Sequence, residues 1–514
     1  MAQTTDRPAP PPAGSPEERE CFGRLQQGLP RIFREVFADH RAPRTVVVVP
    51  GLSLDQDVLA KVAGARHYEE RMLSMLMLLR LPNTRVVFLT SEPVAQAAID
   101  YYLSLLAGVP ASHARQRLVL LSAHDAGPRS LTRKLLDRPR LLERVRQAIG
   151  DASDAHLSVF NTTADEVSLA VALGIPMYAC DPALAYWGGK SGSRRAFREA
   201  GVALPDGAED LHDLQQAAAA IVAMRRRDPS LRRVVVKLDQ GFSGEGNAVF
   251  DLAGLPVDAD APTVHAALLQ GLRPEAQGLS VERFAAQFAQ HHGIVEAWIE
   301  GEGKRSPSVQ VRINPLQQIE LISSHEQVMG GPTGQVFQGS SFPADPAYAR
   351  ELHALSLRVA EVLRGRGVLG RFSIDYLSVP RGDGGWDHHA IEINLRKGGT
   401  TLPYQMLQYL TAGRYEADAA RFVTPLGSVR CYYATDNLVN ADYRRLIPQD
   451  LIDILVEHGL HFDQTRQQGL VFNLIGALSE FGKLGMVAIA DSPQAARALF
   501  DQARELLDRE AARD

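Results

Sequence analysis

Cysteine is scarce in this chain: Cys21, Cys180 and Cys431 are the whole complement among 514 residues. Thiols so far apart offer neither metal-ligand spacing nor a disulfide framework, so a reducing, cytoplasmic setting is expected. Long hydrophobic runs are also missing. The most apolar stretches, such as Met72–Leu81, fall well short of the roughly 20 residues that span a bilayer. Residues 1–16 are rich in Pro, Ala and Thr, hold no apolar segment of signal-peptide type, and read as a disordered tail. Nor does charge of one sign dominate. The 55 Lys and Arg stand against 60 Asp and Glu, a formal net charge of −5, which leaves no electrostatic footprint for nucleic acid. The one dense basic stretch, Arg225–Arg227 with Arg232 and Arg233, reads as the solvated C-terminal end of an alanine-rich helix, where cations suit the helix dipole. Neither nucleic acid nor a membrane is an expected partner.

Several catalytic signatures are absent as well. After the first apolar strand the chain offers only Pro50-Gly51-Leu52-Ser53, which lacks the glycine spacing of a dinucleotide turn. There is no P-loop, no Gly-x-Ser-x-Gly nucleophile elbow and no biotin-carrier segment centred on Met-Lys-Met. What remains is an ordinary soluble composition, 45% hydrophobic and 22% charged, with length for two to four domains.

The pattern along the chain is α/β. Between residues 44 and 181, short apolar or β-branched runs (Thr45–Val49, Arg85–Leu89, Leu118–Leu121, His156–Phe160, Met177–Ala179) alternate with helical stretches such as Tyr68–Arg80 and Ala164–Leu173. That alternation predicts a parallel sheet preceded by a tail and leading helix over 1–43. Residues 182–302 give helices, then a strand, a glycine-rich turn, a second strand, more helices and a final strand. Residues 303–426 are strand-rich around a helix at Tyr348–Arg364. Residues 427–514 read as a small α/β module of their own, one that either covers the active site or mediates a homodimer.

The strand-rich region carries the most chemistry. In His389–Arg396 the strand alternation puts Glu392, Asn394 and Arg396 on one face and Ile391, Ile393 and Leu395 on the other. A carboxylate and an amide oxygen two residues apart make a hard-oxygen pair suited to Mg²⁺. Upstream, Gly370–Tyr376 reads as a neighbouring strand, paired antiparallel across the turn Pro380–Gly385. Asp375 would then sit beside Glu392 and complete a metal site. The plainer alternative is a half-exposed hairpin with solvated acids. Further upstream, the strand Val234–Lys237 runs into Gly241-Phe242-Ser243-Gly244-Glu245-Gly246, a loop whose amides can fold over phosphates while Lys237 adds a compact cation. Lys190 follows Gly188-Gly189 ahead of a helix. The strand exit Glu296-Ala297-Trp298-Ile299 offers backbone groups for an adenine edge and apolar cover for its face. The polar, Gly-rich stretch Ser323–Ser341 reads as a loop lining a substrate pocket, with His325 a contact or base. The run His67–Arg71 at a helix start either reaches an acceptor site or caps the helix at the surface.

Taken in order, these pieces resemble the ATP-grasp superfamily: a lysine before a "GVxxP" turn, a strand–Lys–Gly-rich loop, "VExxIEG", Gly-x-x-x-x-Asp, and "EINxR" followed by "GGTTLP". Pheganomycin-type peptide ligases are the most similar subgroup, through a "WGGKSGSR"-like lysine segment and a distinctive C-terminal domain. The resemblance implies an ATP-grasp fold with an N-terminal pre-ATP-grasp domain over 44–181, grasp subdomains over 182–302 and 303–426, and a C-terminal domain over 427–514. It implies that Lys190, Lys237 and the loop residues Gly241, Ser243, Gly244, Glu245 and Gly246 hold ATP phosphates, with Glu296–Ile299 as adenine hinge. Asp375, Glu392 and Asn394 would hold one or two Mg²⁺ ions. Arg396 and Arg371, with Lys237, would serve phosphoryl transfer, and Gly398 and Gly399 would border the substrate. Two departures stand out. Glu300 and Glu302 both lie near the usual ribose-binding position, and Ser373 occupies the place where D-alanine–D-alanine-type ligases carry an arginine. The implied activity is ATP-dependent carboxylate–amine ligation of small acids with amines or peptides. A phosphotransferase and a non-catalytic nucleotide-binding module are the other readings.

Overall fold

The run Thr45-Val46-Val47-Val48-Val49 lacks polar alternation because both of its faces are covered, the usual state of a central parallel strand. In the computed structural model, which describes residues 10–53, 64–241, 246–276, 278–330, 334 and 336–513, the strand Arg44–Val49 lies inside a four-stranded parallel sheet. The strand order is Leu118–Ser122, Thr84–Thr90, Arg44–Val49, Ala155–Val159. The expected strand at Met177–Ala179 contributes only a single parallel bridge, from Met177 to Leu157. Helix Ala164–Leu173 is held at both ends by its sequence: Thr163 and Glu166 form a capping box, and Gly174 closes it in the left-handed region. The helix expected from Tyr68 begins at Ala65, is wound as a tight 3₁₀ helix through Arg80, and buries nearly all of its apolar side chains.

A second sheet is antiparallel, ordered Gly207–Leu211, Gly293–Ala297, Arg233–Leu238, Asn247–Asp251, Arg273–Pro274. Helices Leu214–Arg227 and Val281–His291 pack their apolar residues on it. The basic stretch at the end of the first helix is only partly solvated. Arg225 is buried and donates to the carbonyls of Pro256 and Leu255, because its long stem reaches the loop that crosses the helix end.

The third sheet has eight strands, ordered Trp386–Asn394, Gly370–Pro380, Pro307–Ile313, Ile319–Gly330, Val336–Phe342, Cys431–Val439, Lys483–Ala490, Gly469–Asn473. Two expectations change here. The polar stretch Ser323–Ser341 is not a loop. Most of it forms two strands of this sheet, with Ser323, Ser324 and His325 fully buried and residues 331–333 and 335 outside the described residues. The 427–514 segment, read as a module of its own, adds three strands to the same sheet. It also shares one core with the rest: Val46, Phe88 and Tyr102 belong to the same cluster as Met406, Leu470, Val487 and Phe500. Polar ties cross the seam too. Gly476 N–H donates to Glu70, and Lys483 Nζ donates to Tyr68 Oη at 2.6 Å.

Among the described residues, no helix is long and apolar enough to cross a membrane. The three cysteines are unpaired. The shared core makes a prediction. Leu470 is fully buried in it, so Leu470→Ala should cost about 2–5 kcal/mol in denaturant unfolding while the transition stays single. A separate early C-terminal transition would show instead that this segment folds apart from the grasp.

Candidate active site

The antiparallel sheet and the eight-stranded sheet face each other across a cleft of about 1060 Å³. Side chains from the N-terminal helix Ala65–Arg80 and from the C-terminal segment close its far end, among them Tyr68, Arg71, Asp436 and Lys483.

Two carboxylates are set on its floor by strand register. Asp375 and Glu392 are direct cross-strand partners, with Ser308 opposite Asp375 on its other side. Immediately beyond, the pairing slips, so that Tyr376 faces Ala390 and Ile391 is the extra residue. A bulge of this kind re-aims side chains, and here Ile391 joins Glu392, Asn394 and Arg396 in lining the cleft. Ser308 Oγ donates to Asp375 at 2.6 Å. The Asn394 amide donates to Asp375 at 3.1 Å and to Glu392 at 3.2 Å, and Arg396 donates to the Asn394 carbonyl at 3.0 Å. Lys190 Nζ forms an ion pair with Glu392. Burial, and then the charge of Glu392, push the Asp375 carboxyl well above its ordinary range. Burial also opposes ionisation of Glu392, but Lys190, the Asn394 amide and Lys237 together outweigh it and hold that carboxyl low.

Lys190 owes its position to tight local packing. It is the first residue of the helix Lys190–Glu199, and Ser193 Oγ of that helix accepts the Ile393 N–H at 2.9 Å, fixing helix to strand. A Cβ on Gly192 would lie 2.0 Å from the Tyr186 carbonyl oxygen, so only glycine lets the helix start pack this closely on the preceding backbone.

On the opposite wall, Lys237 and Glu296 come from adjacent strands, Lys237 facing Ile294 and Glu296 facing Val235. Glu296 is 1% exposed. It accepts from Lys237 Nζ at 2.6 Å and from the Arg194 guanidinium. Burial alone would raise its carboxyl, but Lys237 and Arg194 outweigh that and hold it below the ordinary carboxylate range. Ala297, Trp298 and Ile299 follow along the cleft, with Lys304 donating to the Ile299 carbonyl at 2.9 Å and lying over the Trp298 ring. Gly241 and Gly246 border the same space, while Ser243, Gly244 and Glu245 lie outside the described residues.

Some expected site residues stand elsewhere. His325 is not a pocket residue. It is fully buried, bonded to Tyr432 Oη at 2.9 Å, Ser323 Oγ at 2.8 Å and Gln310 at 3.1 Å, and burial followed by the nearby Arg371 pushes it down to about 3. A neutral, fully bonded imidazole inside the sheet touches no substrate. Arg371 does not line the cleft either. It lies four residues along the strand from Asp375, about 13 Å away at strand rise, and donates to Gln310 at 2.9 Å. Glu302 is exposed and outside the lining, and Glu300 is paired with Arg233 at the surface. Gly398 and Gly399 do line the cleft, just ahead of the helix Thr401–Thr411.

Other lining residues carry little sequence signal. Arg71 and Tyr68 belong to the ambiguous His67–Arg71 run, and Arg71 pairs with Asp436 at 2.6 Å across 365 positions of sequence. The buried Lys237–Glu296–Arg194 cluster supplies a test. Glu296→Ala leaves two cations without their carboxylate, so unfolding free energy should fall by about 3–5 kcal/mol. An unchanged melting temperature would remove this cluster from the account of the site.

The chain is similar to known proteins over most of its length. Residues 182–267 and 277–418 match the family model described as IQCH-like, ATP-grasp, and residues 450–502 match that of the PGM1 C-terminal domain. The chain is 30% identical over 473 residues to the L-propargylglycine–L-glutamate ligase of Streptantibioticus cattleyicolor, covering 90% of this chain and 94% of that one. It is 21% identical to the IQ motif-containing protein H of Danio rerio, covering 91% of this chain and 49% of that protein, so it spans about half the length of this second relative. The solved biotin carboxylase–βγ-ATP complex from Campylobacter jejuni superposes with a TM-score of 0.54 at 11% identity, covering 92% of this chain and 96% of that one, a likeness of fold alone. With two sheets grasping one cleft and a relative of this identity along nearly its whole length, the chain belongs to the ATP-grasp superfamily.

Proposed function

We propose that this chain is an ATP-dependent carboxylate–amine ligase that joins an amino acid to a second amino acid or a peptide through an acyl phosphate, releasing ADP and phosphate. One observation carries the reading. A facing pair of carboxylates, two lysines and an arginine converge on a single cleft that is also lined by Tyr68 and Arg71 of the helix Ala65–Arg80 and by Asp436 and Lys483 from the last-added strands. The relative from Streptantibioticus cattleyicolor is named for joining two amino acids, which supports the substrate class.

Phosphoryl transfer asks the protein for position and charge neutralisation rather than covalent chemistry. Lys237 is held against the strand by Glu296 and presents its ammonium to the phosphates. Lys190 exchanges Glu392 for a phosphate oxygen. Trp298 and Ile299 cover the adenine, and Gly241 and Gly246 border the phosphates, the residues between them lying outside the described part of the chain. Asp375, Glu392 and Asn394 fit one or two Mg²⁺ ions. They are hard-oxygen donors, the two acids repel each other across one strand pair, and a half-turn of the Asn394 amide brings its carbonyl to the same point. No third Asp, Glu, His or Cys among the described residues completes a closed metal cage, which leaves positions for phosphate oxygens, as Mg²⁺ prefers. Bound there, the ion neutralises the phosphate charge that the lysines leave uncompensated. Arg396 faces the transferred phosphoryl group, and Gly398 and Gly399 border the acid. Holding acid and amine together removes up to about 7–11 kcal/mol of barrier.

The test is ADP and phosphate release with ATP, Mg²⁺ and a library of amino acids and short peptides, with mass spectrometry of the products. Release should require both an acid and an amine, give a dehydrated conjugate, vanish with EDTA, and fall at least about 100-fold in Glu392→Ala. A phosphorylated product formed without amine would overturn the ligase reading in favour of a phosphotransferase.

A further inference from the structure

The strand Gly293–Ala297 runs out into a hinge whose backbone groups are unevenly engaged. The Ala297 N–H donates to the Asp206 carbonyl at 2.7 Å on one side, and the Trp298 N–H donates to the Arg233 carbonyl at 3.0 Å on the other. Successive residues of an extended chain direct their N–H and C=O to opposite sides in turn, so Ile299 presents both of its groups on the side of Ala297. Asp206 returns no N–H to the Ala297 carbonyl, and the residue before it is Pro205, which has none and lines the cleft. The Ile299 N–H has no partner among the described residues. An acceptor and a donor therefore stand in a row, open to the cleft, and together they complement the 6-amino group and N1 of an adenine edge.

The third group in that row is closed. The Ile299 carbonyl accepts Lys304 Nζ at 2.9 Å. A tight turn carries Lys304 back to it: Gly301 and Gly303 both have positive φ, and a Cβ on Gly301 would lie 2.6 Å from the Val379 side chain. The ammonium also rests 5.1 Å from the centre of the Trp298 ring, with the Arg233 guanidinium 4.9 Å from the same ring. Glu300, the acid just ahead in the turn, is taken by Arg233, so it does not draw Lys304 away from the carbonyl.

The cap bears on which purine can enter. Adenine asks nothing of the Ile299 carbonyl, toward which it turns only C2–H. Guanine in the same place sets its O6 against the Ala297 carbonyl and its N1–H against the Ile299 N–H. Its remedy is to slide one group along, so that O6 accepts the Ile299 N–H while N1–H and the 2-amino group donate to the Ile299 carbonyl. Lys304 already holds that carbonyl, and its charge opposes the incoming donors.

We propose that Lys304 selects adenine over guanine at this hinge, by capping the carbonyl that a shifted guanine needs. The proposal rests on the nucleotide-binding part of the reading above and adds to it the origin of base selectivity; it does not depend on which acid or amine is joined.

The experiment is isothermal titration of ADP and of GDP, each with Mg²⁺, into full-length wild type, Lys304→Met and Lys304→Arg. Wild type should prefer ADP. Lys304→Met keeps the stem against Trp298 but removes the donor and its charge, so the ADP-over-GDP preference should fall by about tenfold or more. Lys304→Arg, which can still cap the carbonyl, should keep the preference. The two nucleotides share their phosphates, so any effect of Lys304 on phosphate binding cancels in the ratio. An unchanged ratio in Lys304→Met, an equal loss in both variants, or a wild type that shows no preference or binds neither nucleotide overturns the proposal. A failed ligase reading appears differently, as selective ADP binding by a protein that forms no amide product.

Discussion

Two acids of like charge cannot be set face to face in a sheet, mostly out of water, without a cation to answer them, and much of this molecule is arranged around that requirement. The register between Gly370–Pro380 and Trp386–Asn394 places Asp375 opposite Glu392. Everything within reach then works against their repulsion: Ser308 and the Asn394 amide donate to them, Lys190 pairs with Glu392, and Arg396 backs the amide. The opposite wall repeats the theme with reversed sign, since the buried Glu296 exists to hold two cations, Lys237 and Arg194. Local dielectric makes each of these placements expensive in isolation and stable only as a set. On the proposed reading, the cleft suits a ligand that brings both phosphate anions and a divalent cation.

How much of this could be read from sequence follows from how local each signal is. The pairing of Asp375 with Glu392 was legible because both lie in alternating strands joined by a short turn, so separation in sequence translates directly into register. Lys237 was legible only as the end of an apolar strand running into glycines, a pattern that a flexible hairpin with a surface lysine shares, and its burial against Glu296 carries no local signal. The parallel sheet announced itself through unbroken β-branched runs. His325 misled for the opposite reason. Ser323, Ser324 and His325 look like a polar loop, yet Ser323 bonds His325 within the strand, while Ser324 and His325 find Tyr415 and Tyr432, some hundred residues away. Buried polar networks of that kind are invisible to hydropathy.

The far end of the cleft was illegible for a related reason. Arg71, Asp436 and Lys483 meet only after the third sheet has gathered strands from most of the second half of the chain. The C-terminal segment likewise passed for an independent module, because its strand–helix pattern is self-consistent and its hydrogen bonds to Tyr101, Tyr102 and Glu70 cannot be read from either side alone.

The eight-stranded sheet runs without a break from the strand that carries Glu392 to the strand that carries Asn473. At about 4.8 Å per strand that is some 34 Å of continuous hydrogen-bonded ladder. Its last strand, Gly469–Asn473, is also packed into the core that contains Val46 and Phe88 of the parallel sheet. A displacement of that core therefore reaches the strand of Glu392 through unbroken backbone hydrogen bonds, and the sheet acts as one stiff plate between the parallel domain and the cleft floor.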